Sequence, residues 1–269
     1  MEKIIFSDLD GTLLTDDKRI SPGNRAAIRS MTGAGNSFVI ATGRPFESAY
    51  KISEELGLNG EGCYIVSYNG SHVYDCYQKR ALLDKRLSLE TVRELFRFAW
   101  SAGLYAQTYQ DGEILARERT KEMDFYERNT NLPGHPRADV LDYLTKAPSK
   151  VIIIHLSDHE RLARFQKEHE AWAKGKCRLT FSNAKYLEVI AEGVSKQTGI
   201  EFLMNHLGVD RANTIAVGDE ANDIEMIKAA GVGIAVQNAS AAAKEAADYV
   251  TRVSNNEDAI AEVVEKFCV

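Results

Sequence analysis

The sequence contains few cysteines, and none of them forms a pair or a framework. The four thiols are scattered along 269 residues without a CxxC spacing, at Cys63, Cys76, Cys177 and Cys268. This distribution is typical of an intracellular protein whose thiols stay reduced. The six histidines form no HExxH or HxH pattern. The sequence therefore offers neither a disulfide scaffold nor a zinc motif.

The chain also lacks a long apolar run and an excess of positive charge. No stretch approaches the roughly 18 apolar residues that a membrane span needs. The amino terminus enters a predicted strand at once, without the regions of a signal peptide. Lys plus Arg number 33 and Asp plus Glu 39, a formal charge of -6, whereas phosphate backbones require a positive face. These absences predict a cytoplasmic protein that binds neither nucleic acid nor membranes.

Short apolar runs alternate with helical patterns at both ends of the chain. Strand–helix alternation predicts right-handed crossovers and a parallel sheet. The runs are Ile4–Phe6, Ser37–Ala41, Cys63–Ser67, Thr214–Val217 and Val232–Val236.

The middle of the chain shows a different order of predicted helices and strands. Helical patterns at Ser88–Ala102 and His159–Lys174 flank hairpin-like strands, a loop at Asn131–Pro136 and the strand Val151–Ile154. We therefore predict an α/β protein. Residues 1–81 and 189–269 form a Rossmann-like, doubly wound parallel sheet, and residues 82–188 form an inserted α+β domain.

The first apolar run ends in two aspartates and a glycine. Side chains alternate along an extended chain, so Asp8 and Asp10 are expected to leave the strand on the same side. Two adjacent carboxylates repel each other, and Mg²⁺ accepts hard oxygen ligands of this kind. The pattern thus indicates a magnesium site, although DxDG also occurs in solvated acidic turns and in calcium loops.

Other polar groups follow the remaining predicted strands. Parallel strands end at one edge of a sheet, where ligands bind. Lys196 begins a predicted helix, whose amino terminus favours an anion. Together these groups form a candidate phosphate site, with one carboxylate left as nucleophile and another to move protons. The strand-end groups are Thr42 with Gly43, Asn69, and Asp219 with Asp223.

Four segments, DLDGT, ATGR, SK and GDEANDIEM, occur in this order and resemble the haloacid dehalogenase (HAD)-like phosphohydrolases. The insertion of roughly a hundred residues after YNG is similar to that of the Cof-type, or IIB, branch. The resemblance implies a HAD-like fold whose inserted domain is a cap that selects substrates. It also implies a Mg²⁺-dependent phosphatase of small phosphorylated metabolites, above all sugar phosphates.

The resemblance also implies a role for each matched residue. Asp8 would be the nucleophile that forms an aspartyl-phosphate, and Asp10 the general acid/base, with its backbone carbonyl on Mg²⁺. Thr42 would hydrogen-bond the phosphoryl group, and Lys196 would neutralise that group and hold Asp8. Asp219 and Asp223 would complete the metal site. The phosphate or the substrate would be contacted by Gly43, Arg44, Asn69 and Asn222.

Two positions depart from the pattern of the branch. Gln197 stands where glycine commonly follows the lysine, and Glu220 where a small or amide residue is common. Neither residue carries the chemistry, so the implied reaction is unchanged.

Two alternatives stay open at this stage. A phosphohexomutase of the same superfamily would return the phosphoryl group to another hydroxyl. A receiver-like signalling module would also phosphorylate an aspartate beside Mg²⁺. In either case the chain is expected to be a monomer or a weak homo-oligomer.

Overall fold

A computed structural model describes residues 2–268 of the chain, which divides into two compact units. The first unit is built from both ends of the chain, up to Leu83 and from Ser195 onward, and the second spans Asp84–Val194. The second boundary lies six residues beyond the expected one. Residues 189–191 complete a strand that begins at Tyr186 and pairs within the second unit, so they belong to that unit.

The amino-terminal part of the first unit alternates strands and helices. Ser21 caps the first helix by accepting a hydrogen bond from the Asn24 amide, and Gly57 ends the second in the left-handed conformation that glycine adopts readily. The elements are β1 (Ile4–Ser7), α1 (Pro22–Gly33), β2 (Ser37–Ala41), α2 (Phe46–Leu56), β3 (Tyr64–Ser67), β4 (His72–Asp75) and β5 (Arg80–Asp84).

The second unit is a six-stranded sheet in the order β10-β11-β9-β6-β7-β8, antiparallel except for the β7–β8 pair. Side chains of α3 and α6 pack in an apolar cluster with one face of the sheet. The elements are α3 (Leu89–Ser101), β6 (Tyr105–Gln110), β7 (Glu113–Ala116), α4 (Lys121–Thr130), β8 (Gly134–Pro136), α5 (Val140–Tyr143), β9 (Lys150–Ile154), α6 (His159–Ala173), β10 (Cys177–Asn183) and β11 (Tyr186–Ala191).

The chain then returns to the first unit and restores the strand–helix alternation. The elements are α7 (Lys196–Leu207), β12 (Thr214–Gly218), α8 (Ile224–Ala229), β13 (Val232–Ala235), α9 (Ala241–Ala246), β14 (Tyr249–Val250) and α10 (Ala259–Phe267). A 3₁₀ turn at Ala221–Asp223 precedes α8. The cysteine thiols are free, as expected. No helix within residues 2–268 is both long and apolar enough to cross a membrane.

The first unit confirms the predicted doubly wound sheet. Its strand order is β14-β13-β12-β1-β2-β3-β4-β5, and the strands from β14 to β3 are parallel. Separate apolar clusters cover its two faces. β1 lies between β12 and β2, so the chain winds away from it in both directions. The carboxyl end of β1 is therefore the switch point at which such sheets bind ligands.

Candidate active site

The end of β1 places Asp8 beside the end of β12. The Asp8 amide donates to the carbonyl oxygen of Val217 over 2.9 Å, which continues the parallel ladder one residue beyond the strand. β12 ends at Gly218, and Asp219 follows directly. Two neighbouring strands thus bring two carboxylates together although 211 positions separate them in the sequence (219 − 8).

Three buried carboxylates meet at this edge. Asp8, Asp219 and Asp223 each offer an oxygen, and these oxygens lie within 4.8 Å of one another. Asp223 is held by its own turn, because its Oδ2 accepts hydrogen bonds from the amides of Asp219 (3.0 Å) and Glu220 (3.1 Å). Asp219 Oδ1 accepts from the hydroxyl of Thr12 over 2.7 Å. The group is therefore fixed by backbone and side-chain donors.

Lys196 supplies the buried cation of this group. Its Nζ donates to Asp8 Oδ1 and to Asp223 Oδ1, each over 2.6 Å. Burial opposes a charged lysine, but Asp223 and Asp8 outweigh that effect and raise the pKa of Lys196 above its ordinary value. One ammonium therefore faces three carboxylates.

Burial and the excess of negative charge both raise the pKa values of these carboxylates. Burial is the main cause that raises the pKa of Asp8 to about 7; Lys196 opposes the rise and Asp223 adds to it. Burial, Asp8 and Asp223 raise the pKa of Asp219 to about 9. Three converging oxygen donors with one charge-balancing lysine fit a hard divalent cation such as Mg²⁺, which would remove this repulsion.

The carboxylate of Asp10 does not belong to this group of three. Arg44 binds it with two nitrogens, Nε to Oδ2 over 2.6 Å and Nη2 to Oδ1 over 2.7 Å, and Lys18 Nζ lies 2.7 Å from Oδ1. Burial would raise the pKa of Asp10, but Arg44 and Lys18 hold it well below its usual range. Arg44 is itself buried and also donates to the hydroxyl of Ser48 over 3.3 Å.

The remaining predicted residues form a connected polar rim. Thr42 is buried, and its hydroxyl accepts a hydrogen bond from the Arg44 amide over 3.1 Å. The carbonyl oxygen of Thr42 accepts from the Asn69 amide, and Asn222 Nδ2 donates to Asn69 Oδ1 over 3.1 Å. Gly43 lies between Thr42 and Arg44. These hydrogen bonds join the ends of β2 and β3 to the turn after β12.

Two glycines place α7, and with it Lys196, against the first unit's sheet. A Cβ on Gly70 would lie 2.0 Å from the Ser195 carbonyl oxygen, and one on Gly199 would lie 2.8 Å from the Gly70 Cα. Only glycines permit this approach. Neither glycine is among the predicted site residues, and neither are Thr12, Lys18 and Ser48. Thr12 lies inside DLDGT and Gly70 inside YNG, so a signal for each was present; Gly199, Lys18 and Ser48 act through tertiary contacts alone.

The two departures from the family pattern lie outside the carboxylate group. Gln197 Nε2 donates to Glu201 Oε1 over 2.7 Å along the same helix. Glu220 precedes the 3₁₀ turn, and burial raises the pKa of its carboxyl.

Comparison with known proteins identifies the family. The sequence profile of the haloacid dehalogenase-like hydrolases matches residues 5–264. The chain belongs to this family. It is 30% identical over 270 residues to a 5-amino-6-(5-phospho-D-ribitylamino)uracil phosphatase from Bacillus subtilis, covering 97% of this chain and 94% of the relative. The match confirms the predicted enzyme class, a phosphatase of the HAD superfamily.

Solved structures share the fold over the whole chain. A haloacid dehalogenase-like hydrolase from Bacteroides thetaiotaomicron superposes with a TM-score of 0.91 at 31% identity, covering 99% of both chains. A sugar phosphatase of HAD subclass IIB has the same fold, with a TM-score of 0.81 at 22% identity and 99% coverage of both chains.

Proposed function

We propose that the enzyme is a Mg²⁺-dependent phosphatase that hydrolyses phosphomonoesters of small metabolites, with sugar phosphates as the main class. The observation that carries this proposal is the contact of Lys196 Nζ with Asp8, within a group of three carboxylates. A lysine and a cation together would let the anionic Asp8 approach an anionic phosphoryl group. We further propose that the chain acts in the cytoplasm.

The metal would be held by carboxylates of Asp8, Asp219 and Asp223 and by the backbone carbonyl of Asp10. When bound, Mg²⁺ would neutralise negative charge on the carboxylates and on the phosphoryl oxygens. Burial and the neighbouring carboxylates raise the pKa values of Asp8 and Asp219, and a bound cation would lower them again. The donor set is all oxygen, which suits this ion.

The reaction would proceed in two steps, both at the carboxylate of Asp8. A carboxylate oxygen of Asp8 attacks phosphorus, the bond from phosphorus to the leaving oxygen breaks, and Asp10 gives that oxygen a proton. Asp10 then takes a proton from water, whose oxygen attacks the phosphorus and releases Asp8 and inorganic phosphate. Lys196 and the hydroxyl of Thr42 would hold the phosphoryl oxygens throughout.

The ion pairs of Asp10 affect whether it can donate or accept a proton in each of these steps. While Arg44 and Lys18 are both bound, Asp10 is ionised and suited to accept a proton. To donate a proton first, its carboxyl must lose at least one of these partners. We therefore propose that Arg44 contributes by controlling Asp10, in addition to any contact with the phosphate.

The second unit, Asp84–Val194, is proposed to select the leaving group. It has its own sheet and apolar core, so its surface can vary without disturbing the catalytic carboxylates. A kinetic comparison of substrates with different leaving groups tests this division of roles.

The decisive experiment measures phosphate release from a panel of phosphorylated compounds, with and without Mg²⁺. The panel includes hexose phosphates, flavin and vitamin phosphates, and the ribitylamino-uracil phosphate named for the relative above. We expect Mg²⁺-dependent release by the wild type and none by Asp8→Asn, which keeps the shape of the side chain but removes the nucleophile. Asp17→Asn, at an exposed position, serves as the matched control.

Other outcomes would overturn the proposal. A requirement for a sugar bisphosphate without release of inorganic phosphate would indicate a phosphohexomutase. A stable phosphorylated Asp8 with negligible turnover would indicate a signalling module.

A further inference from the structure

A cavity of about 290 Å³ lies within the second unit, and none of the proposed catalytic residues lines it. It is located where β6 begins and where β7 and β9 end. The unit's own chain ends lie at the other end of β9, since Leu87 bonds to Pro148 and Ile190 pairs with Lys150. The volume of the cavity is close to the lower limit of small-molecule pockets, whose volumes run from about 300 to 1,000 Å³.

A buried carboxylate without a hydrogen bond faces this cavity. Glu122 is 8% exposed, and no hydrogen bond to its carboxylate occurs within residues 2–268. Its ion-pair partner in that range is Lys121, whose Nζ lies 3.9 Å away and whose side chain is 71% exposed. Glu122 is in the first turn of α4, where the helix dipole favours a negative charge. Its oxygens are not among the buried side-chain atoms of residues 2–268 that lack a partner, so water reaches them, and a cationic donor in the cavity could replace that water.

A second unsatisfied group lies at the same helix end. The hydroxyl oxygen of Thr120 is buried and has no hydrogen-bond partner among the described residues. Thr120 precedes α4, yet its side chain makes no capping hydrogen bond to the helix. A hydroxyl both donates and accepts, so it can pair with a hydroxyl of a ligand. Because this oxygen is closed to solvent, a hydroxyl of a ligand in the cavity would reach it only after the Thr120 side chain rotates about its Cα–Cβ bond.

Aromatic side chains form the apolar wall of the cavity. Trp100 and Tyr105 line it, and Tyr105 directs its hydroxyl to Gln107 Oε1 over 2.8 Å. The guanidinium of Arg117 lies 4.7 Å from the centre of the Trp100 ring, so this wall already accepts a cation. Arg117 is paired with Glu118 over 3.2 Å, so the near cation of Glu122 is the exposed Lys121 at 3.9 Å.

We propose that this cavity binds a small hydroxylated primary amine, such as an amino sugar. The ammonium group would bind Glu122, a hydroxyl would bind Thr120, and the carbon skeleton would lie against Trp100 and Tyr105. Such a ligand would give both groups a hydrogen-bond partner and would contact the aromatic wall. The inference does not rest on the phosphatase proposal, because it involves no catalytic residue.

Fluorescence provides a direct test, because the chain has two tryptophans and one of them lines the cavity. Trp172 lies elsewhere and donates to Glu94, so Trp172→Phe leaves Trp100 as the reporter. Titration of this variant with D-glucosamine is expected to give a saturable change in emission. D-Glucose, which has the same ring without the ammonium group, is expected to bind about tenfold more weakly or worse. Calorimetry of the wild type with glucosamine checks the result without a substitution.

Matched variants identify the responsible carboxylate. Glu122→Gln in the Trp172→Phe background should weaken glucosamine binding about tenfold or more. Glu160→Gln, which removes an exposed carboxylate of the same unit outside the cavity, should change it by less than about twofold. Should Glu122→Gln fail to fold, Thr120→Val replaces it and is expected to weaken binding by about threefold or more. The proposal is overturned if glucosamine gives no saturable signal in either method, if glucose binds equally well, or if Glu122→Gln, or Thr120→Val in its place, keeps full affinity.

Discussion

At the scale of single residues, the protonation of Asp10 depends on two basic partners that differ in burial. Arg44 is buried and binds both carboxylate oxygens, whereas the side chain of Lys18 is 38% exposed and contacts one of them. A buried bidentate pair is less screened by water than an exposed single contact. Arg44 should therefore have the larger influence on the pKa of Asp10.

We expect Arg44→Met to lower kcat roughly tenfold or more and to change its pH dependence. Without the guanidinium, the rise in the pKa of Asp10 that burial causes is no longer opposed by Arg44, so the pKa rises above its ordinary value and the fraction of Asp10 able to accept a proton falls at acidic pH. Activity should decline more at pH 5 than at pH 7.5, whereas Lys18→Met should show a smaller effect. A uniform rise in KM at every pH, with kcat unchanged, would instead indicate that Arg44 only binds the phosphate.

The position of Asp10 also illustrates what the sequence could predict about the site. The DLDGT segment correctly indicated a carboxylate at a strand end, and Asp8, Asp219 and Asp223 do converge. The rule of alternating side chains holds only within a strand, and β1 ends at Ser7, so it could not place Asp10. The partners of Asp10 come from a loop and from the residue after Gly43, and no local pattern predicts such contacts.

At the scale of elements, the position of α7 depends on the contact between Gly70 and Gly199. Gly199 lies inside the helix, where alanine would ordinarily add about 1 kcal/mol of stability. A Cβ at this position would lie 2.7 Å from Val66 Cγ1 and 2.8 Å from the Gly70 Cα. Helix propensity therefore predicts that Gly199→Ala stabilises the protein, whereas packing predicts that it destabilises it.

We expect packing to dominate, so that Gly199→Ala destabilises the protein by about 1–3 kcal/mol. The displaced helix would also move Lys196 from Asp8 and lower kcat. Urea unfolding and steady-state kinetics measure the two effects. Gln197→Ala, on the same helix, is the control and should keep both values near those of the wild type. Stabilisation by Gly199→Ala would show that the helix can shift without cost.

The elements that the sequence did not predict are short or depend on tertiary contacts. β8 spans three residues in a segment rich in loop-forming residues, and it exists because it pairs with β7. β14 has two residues and extends the edge of a sheet. The long elements have strong periodicity of their own, which is why helices such as α3 were predicted to within one or two residues.

At the scale of the whole molecule, the second unit contains a buried ion pair next to its apolar core. Lys150 Nζ donates to Glu188 Oε1 over 2.9 Å, both side chains are almost fully buried, and Ser182 also donates to that oxygen over 3.0 Å. Removing one partner leaves a buried charge without its counterion, whereas replacing both can be nearly neutral.

We therefore expect Lys150→Met to cost about 3–5 kcal/mol in the free energy of unfolding. The double variant Lys150→Met with Glu188→Leu should recover most of this loss. Urea unfolding of the wild type, both single variants and the double variant forms a complete cycle. A double variant as unstable as the sum of the single variants would show that the two side chains act independently.

The carboxylate group makes the stability of the first unit depend on pH and on metal. Because the pKa values of Asp8 and Asp219 are raised to about 7 and about 9, the folded protein binds more protons than the unfolded chain above about pH 4. Without metal, stability must therefore fall as the pH rises from about 4 through these values. Mg²⁺ would bind the ionised carboxylates and oppose the fall.

Thermal unfolding in EDTA should show a Tm that declines between pH 5 and pH 9, and Mg²⁺ should raise Tm most at the alkaline end. Asp219→Asn removes one of the repelling charges, while the amide oxygen can still accept from Thr12. The metal-free variant should thus be more stable than the wild type at pH 9, by several degrees in Tm, and Mg²⁺ should stabilise it less. A variant that is less stable than the wild type at pH 9 without metal would mean that the hydrogen bond outweighs the repulsion, and that the carboxylates are not under electrostatic strain.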